Sequence, residues 1–166
     1  HFILLGLPTQ RRFQSSKRSR QTDTPTQSYD TIKIPCGVTK IGPYAFYKCS
    51  KLKTIIIPGS VTYIDLRAFY QCTSLVTVTF LDSEKTPRKI GKLSFGRCHA
   101  LKTVTLPESV TSMAFGAFVN CSALETVTIP DGTTNIGVGA FTGCKRLTKI
   151  IITTKKAKAE HTGIKT

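Results

Sequence analysis

Apolar residues recur along this chain in a pattern that is repeated five times. Each copy has a Phe, a Cys three positions later and a Leu three positions after that, and successive copies are 23, 26, 23 and 23 residues apart. A period of this length with fixed apolar positions is typical of a solenoid, in which each coil buries its side chains against the next. The predicted core positions are Phe46, Phe69, Phe95, Phe118 and Phe141; Cys49, Cys72, Cys98, Cys121 and Cys144; and Leu52, Leu75, Leu101, Leu124 and Leu147.

Each copy divides into four local elements. After the Leu, apolar and polar residues alternate as in a half-buried strand, and a proline such as Pro58 or Pro107 ends it. A shorter alternation follows, as in residues 61–64. The Ala/Ser-Phe-x-x-Cys run then predicts a single helical or 3₁₀ turn with its Phe pointing inward. We therefore predict a leucine-rich-repeat-like solenoid with a parallel β ladder, each 23-residue coil being strand, corner, short strand and helical or 3₁₀ turn.

The repeats are expected to occupy residues 29–154, as five copies preceded by an N-terminal half repeat. Residues 1–28 are predicted to be a flexible basic leader, and residues 155–166 a basic tail. The third copy has nine residues between Phe80 and Ile90 where the other copies have six. Such an insertion predicts a loop on one face of the solenoid, either a tolerated surface loop or part of a binding face.

The repeated text Ile-Pro-x-x-Val-Thr-x-Ile-Gly-x-x-Ala-Phe-x-x-Cys-x-x-Leu-x-x-Ile-x-Ile-Pro resembles the BspA-like class of leucine-rich repeat. The chain matches this text over residues 34–58 and again over residues 106–130. Two of the five copies depart from it, because Asp65 and Ala114 stand where the pattern has Gly. The resemblance implies a curved solenoid without catalytic residues. It also implies a protein-binding role of the kind found in surface or secreted adhesins of bacteria and protists.

Six cysteines in a chain of 166 residues raise the question of a disulfide framework. Five of them, however, share one repeat position between the Phe and the Leu. Stacked coils place these five in a column inside the structure, where a free thiol behaves as a small apolar group. We therefore expect buried free thiols, with Cys36 outside the column as the candidate exposed thiol.

The charge of the chain is strongly positive, with 24 Lys and Arg against 9 Asp and Glu and a net charge of +15. This charge favours an anionic partner such as nucleic acid, acidic glycan or acidic lipid, although solvated tails also account for part of it. When equivalent positions of successive copies are compared, the basic residues are scattered and form no continuous stripe. Electrostatic binding of polyanions through scattered Lys/Arg and basic tails is therefore the alternative function.

The outward positions of the longer strand form the candidate binding surface. Strands stacked at about 4.8 Å would turn these positions into a flat, threonine-rich sheet face. Cross-strand threonine pairs also stabilise sheets, so a structural role and a protein-binding role both stay open. The candidate binding residues are Thr54, Ile56, Thr77, Thr79, Thr103, Thr105, Thr126, Thr128, Lys149 and Ile151.

Signals for catalysis, metal or membrane insertion are weak in this sequence. Of the three histidines only His99 lies beside a Cys, and no second ligand pair of the usual spacing accompanies it. No run of about 18 apolar residues predicts a membrane span. We therefore predict a non-catalytic binding module without cofactor or metal, acting on a protein partner through a solenoid face. The resemblance places it at the cell surface or outside the cell, with the cytoplasm as the alternative, and its oligomeric state stays open.

Overall fold

A computed structural model describes residues 30–81 and 87–154, which wind into a solenoid of parallel strands. The predicted fold class is confirmed. The predicted leader and tail, and residues 82–86 of the insertion, lie outside the described residues. The strands are β1 (Thr31–Lys33), β2 (Lys40–Ile41), β3 (Thr54–Ile57), β4 (Tyr63–Ile64), β5 (Thr77–Phe80), β6 (Arg88–Ile90), β7 (Thr103–Thr105), β8 (Val110–Met113), β9 (Thr126–Pro130), β10 (Asn135–Ile136) and β11 (Lys149–Thr153).

The odd-numbered strands, here called the front strands, are the longer strands of the sequence pattern. They pair in parallel at the repeat period, so that Thr54 lies opposite Thr77 and Thr103 lies opposite Thr126. The front ladder is divided into two three-stranded sheets, β1-β3-β5 and β7-β9-β11. The division comes directly after Phe80, the last residue of β5. The Phe80 ring lies edge-on to that of Phe95, with the ring centroids 6.4 Å apart. A bulky ring therefore ends β5 where other copies carry Ile or Leu.

The even-numbered strands, here called the back strands, form one five-stranded sheet in the order β10-β8-β6-β4-β2. Strand β6 corrects the sequence interpretation, because it includes Arg88 and Lys89 from the segment predicted to be a surface loop. A register shift between these two residues places Arg88 opposite Val110. Arg88 thereby takes an inward position and is fully buried.

The third side of each coil, here called the turn side, is a run of consecutive turns, and the residues that the structure describes contain no helix. The predicted helical turn is absent because each coil has two residues of positive φ, one two positions before the Phe and one two positions after it. In the second coil these are Arg67 (φ 50°) and Gln71 (φ 60°). Left-handed residues interrupt a right-handed helix, and each non-Gly example costs about 1–2 kcal/mol.

Backbone N–H groups on the turn side alternate between two kinds of partner. The N–H groups of Ala68, Tyr70 and Cys72 donate to carbonyls three residues back in the same coil, each at 3.2 Å. The intervening N–H groups of Arg67, Phe69 and Gln71 donate to the next coil, at 3.0, 2.7 and 2.9 Å. Successive coils are thus hydrogen-bonded to each other along the turn side as well as along both sets of strands.

The core is a stack of identical positions from successive coils. The five repeat Phe rings lie nearly parallel, with neighbouring centroids 4.9, 5.0, 5.2 and 5.8 Å apart. Four of the rings are buried and Phe141 is half-buried. The repeat Leu residues follow the same trend, with Leu147 half-buried and the other four buried. Each fully buried side chain of this kind contributes about 1.5–3 kcal/mol, so stacking of the coils supplies the stability.

Candidate functional site

The ten candidate binding residues all lie on the front strands. Thr77, Thr103, Thr105 and Lys149 are exposed, and the other six are half-buried. The pairing joins them across strands as Thr103, Thr126 and Lys149 in one row, and as Thr105, Thr128 and Ile151 in the next. Because the front ladder is divided after β5, the predicted single face consists of two patches, one on β3 and β5 and the other on β7, β9 and β11.

The five repeat cysteines form a column of free thiols, of which Cys72, Cys98 and Cys121 are buried and Cys49 and Cys144 half-buried. Each thiol from the second coil onward donates to the carbonyl of the Phe in the preceding coil, as Cys72 does to Phe46 at 3.1 Å. Burial raises the pKa of the Cys72 thiol to about 12. The Cys72 thiol is therefore a protonated donor in the core. Cys36, outside the column, is exposed.

Arg88 is a structural site that the repeat pattern did not predict. Its Nε donates to the carbonyl of Val61 at 2.8 Å, and its Nη2 donates to the carbonyls of Pro58 at 3.1 Å and Leu81 at 3.4 Å. The guanidinium also lies over the ring of Phe80, 5.3 Å from its centroid. One buried cation thus joins the corner of the preceding coil to the start of the insertion. The feature of the sequence that sets this coil apart is the absence of a proline directly after β5.

A cluster of aromatic and basic residues on the turn side was also missed. The rings of Tyr47 and Tyr70 stack with centroids 5.9 Å apart, and Tyr44 lies edge-on to Tyr47 at 5.5 Å. Arg67 and Arg97 converge on the ring of Tyr70, with guanidinium carbons 5.3 and 5.8 Å from its centroid. These residues belong to different repeat positions, so a scan of one position at a time did not group them.

Two open grooves lie beside these features. One, of about 320 Å³, continues the turn side beyond Arg97 and is lined by Arg97, His99, Asn120, Ser122, Gly143 and Lys145. The other, of about 340 Å³, lies over the back sheet, where Tyr63, Lys89, Phe115 and Asn135 contribute side chains. Within residues 30–81 and 87–154, no group of three or more His, Cys, Asp or Glu is placed to hold a metal ion. In the same residues, no helix has the length and apolar character to cross a membrane.

The chain was compared with known protein families and structures. The family model described as "BspA type Leucine rich repeat region (6 copies)" matches residues 81–162. The repeats in residues 81–162 are BspA-type leucine-rich repeats. No curated protein matches the sequence.

Solved structures of bacterial leucine-rich-repeat proteins share the fold. A leucine rich cell surface protein from Faecalibacterium prausnitzii A2-165 is 31% identical with a TM-score of 0.70, over 79% of this chain and 34% of its own. A leucine-rich repeat protein from Bacteroides ovatus ATCC 8483 is 27% identical with a TM-score of 0.57, over 73% of this chain and 36% of its own. The pneumococcal vaccine antigen PcpA, at 21% identity and a TM-score of 0.64 over 78% of this chain and 31% of its own, shows the fold alone.

The chain spans about a third of the length of these structures. The F. prausnitzii protein is described as a leucine rich cell surface protein. The described repeats correspond to a part of each of those proteins.

Proposed function

We propose that the BspA-type repeats of this chain act as a non-catalytic protein-binding or adhesion module within a larger surface or secreted protein. The surface would be the front-strand face, and in particular the patch on β7, β9 and β11. The observation that supports this choice is the regular array of outward side chains there. Thr103 and Thr105 are exposed, and the backbone beneath them is paired in register.

The chemistry of the face suits a protein partner better than a polyanion. Its outward positions are threonines, two isoleucines and one lysine, so it offers methyl groups and hydroxyls with little charge. Backbone pairing holds these groups in fixed positions, so a partner orders few side chains when it binds. The similarity to a cell surface protein supports an extracellular place for this contact.

Adhesion of protein-coated beads to a deposited extracellular-matrix film tests this function. One film is pretreated with protease and another with glycosidases that remove acidic glycans. On the glycosidase-treated film, which lacks acidic glycans, we expect adhesion to persist and to change little between low and high salt, and protease treatment of that film should abolish it. Adhesion that survives protease treatment and disappears after glycan removal would favour polyanion binding.

A double variant, Thr103→Arg with Thr126→Arg, locates the surface. Added bulk and charge should abolish adhesion to protein, whereas a polyanion would bind this variant more tightly. The matched control is Thr39→Arg with Thr134→Arg, which adds the same charge at exposed positions outside the front face. Equal loss of adhesion in both variants would contradict the assignment to the front face.

A further inference from the structure

We propose that the turn side carries a second binding site, for an acidic polysaccharide bearing sulfate or carboxylate groups. The site, here called the basic turn surface, comprises Tyr47, Lys48, Arg67, Tyr70, Arg97 and Lys145. It is separate from the front strands, so it adds a ligand to the proposed protein-binding role and does not depend on it.

Within the part of the chain that the structure describes, no carboxylate forms an ion pair with a cationic group of this surface. The ion pairs among the described residues join Lys40 to Asp65, Lys53 to Asp30 and Arg146 to Glu125. None of them includes a residue of the basic turn surface. The groove beside Arg97 is lined by two cations and three polar side chains without an acidic residue. An anionic ligand would therefore meet available donors.

The arginines are held in position by the tyrosines. Arg67 and Arg97 both lie over one ring, that of Tyr70, and Arg67 Nε is buried. Gly96 makes this arrangement feasible, because a Cβ there would lie 2.8 Å from the Tyr70 ring. A guanidinium that uses its face on an aromatic ring keeps its N–H edge for bidentate contact with an oxyanion. The pairing thus orders the donors before a ligand binds.

The backbone is strained at three cationic residues of this surface. The positions two before and two after the repeat Phe have positive φ in all five coils. The later coils place Gly116, Gly139 and Gly143 there, which adopt positive φ without strain. The other seven positions carry non-Gly residues, which are Tyr44, Gln71, Leu93 and Asn120 besides the basic Lys48, Arg67 and Arg97, at φ of 58°, 50° and 59°. Three of the four cationic residues of the basic turn surface therefore lie at strained positions where the fold also accepts glycine, and strain of this kind is concentrated at functional sites.

The geometry favours a polysaccharide over single-stranded nucleic acid. Binding of unpaired bases relies on open aromatic faces. Here the face of Tyr70 is covered by Tyr47 and by two guanidinium groups. The ring of Tyr47 stacks on Tyr70 and has Lys48 Nζ over it, 5.2 Å from its centroid. Arginine edges and the polar groove beside Arg97 are left for contact. These suit a chain that presents anionic groups along its length and no aromatic rings.

Fluorescence anisotropy of a labelled heparin oligosaccharide, titrated with the 166-residue chain, tests the site. The test variant is Arg67→Gln with Arg97→Gly and Lys145→Gln. Gln71 and Gly143 show that the fold accepts Gln and Gly at positive φ. The control variant is Lys33→Gln with Lys89→Gln and Lys102→Gln, which removes the same charge from exposed positions elsewhere. We expect the test variant to bind heparin at least about tenfold more weakly and the control variant to change about threefold or less.

Equal weakening in both variants, or no binding of heparin by the unaltered chain, would overturn the proposal. A single-stranded thymidine oligonucleotide bound more tightly than heparin through the same residues would also overturn it, in favour of nucleic acid. Thermal melting of the test variant checks folding, and Arg97→Gly alone replaces it if the triple variant melts early. Thr103→Arg with Thr126→Arg should keep heparin binding, so failure of the front-face function and failure of this site are distinguishable.

Discussion

The thiol of Cys121 donates a hydrogen bond to the carbonyl oxygen of Phe95 at 3.1 Å, across the boundary between two coils. Cys98 and Phe69 make the same contact one coil earlier, at 3.3 Å. The cysteine column therefore contributes hydrogen bonds between coils in addition to apolar volume. At Phe69 the thiol is a second donor, because this carbonyl also accepts the N–H of Cys72 in its own coil.

Replacement of Cys121 by Ala should lower the free energy of unfolding by about 1–3 kcal/mol, because it removes this donor and leaves a small cavity. Urea denaturation followed by circular dichroism measures the change. Cys36→Ala is the control, since Cys36 is exposed, and it should stay within about 0.5 kcal/mol. Equal effects at the two positions would show that the buried contact adds nothing.

Stability should fall at alkaline pH because of the buried thiols. Burial raises the pKa of Cys72 from 9.0 to about 12, so the native state keeps a proton that the unfolded state releases above pH 9. The stability from this thiol is complete below pH 9 and is lost as the pH rises towards 12, by up to about 1.4 kcal/mol per pH unit. Urea midpoints of the unaltered chain and Cys72→Ala, compared from pH 8 to 11, isolate the effect. Identical pH slopes would rule out the linkage.

Phe substitutions should show a gradient along the solenoid. Phe95 stacks on both Phe69 and Phe118, so Phe95→Ala should cost about 3–5 kcal/mol. Phe141 is half-buried and stacks on Phe118 at the longest of the four spacings, 5.8 Å. Phe141→Ala should therefore cost clearly less. Thermal melting of the two variants tests the order, and equal shifts would contradict stacking as the source of stability.

Arg88 should be essential to the third coil despite its charge. Arg88→Met keeps much of the side-chain volume but leaves the carbonyls of Pro58 and Val61 without this donor. An unsatisfied buried carbonyl costs about 1–3 kcal/mol, so we expect a loss of at least about 2 kcal/mol in urea unfolding. Lys89→Met, at the exposed neighbouring position, serves as the control. A stable Arg88→Met variant would mean that the guanidinium is dispensable.

The repeat period was sufficient to predict the pairing of strands. A shift of 23 residues joins Thr54 to Thr77 and Thr126 to Lys149, as the structure has it. The conformation of the turn side could not be obtained in this way. Its left-handed positions in the second coil carry Arg67 and Gln71, which give no sequence signal of positive φ, and the spacing of Phe and Cys also fits a helical turn.

The burial of Arg88 was hidden for a different reason. A shift of one residue in a strand exchanges its inward and outward faces. Strand β8 has one extra residue, Thr111, relative to β6, and this residue makes such a shift. The basic turn surface was hidden because its parts occupy different repeat positions and meet only when coils stack. Arg67 precedes the repeat Phe by two residues and Arg97 follows it by two, yet both lie against Tyr70.

The alternating hydrogen bonds of the turn side have a consequence for how this molecule can change over generations. Because main-chain atoms and buried side chains connect the coils there, a codon change at an exposed turn position alters what the surface presents and leaves the connections intact. Different coils already illustrate such freedom, with Thr73, His99 and Lys145 exposed at one repeat position. New binding specificities can therefore arise one coil at a time. Duplication of a coil would add further exposed turn positions whose side chains can then change.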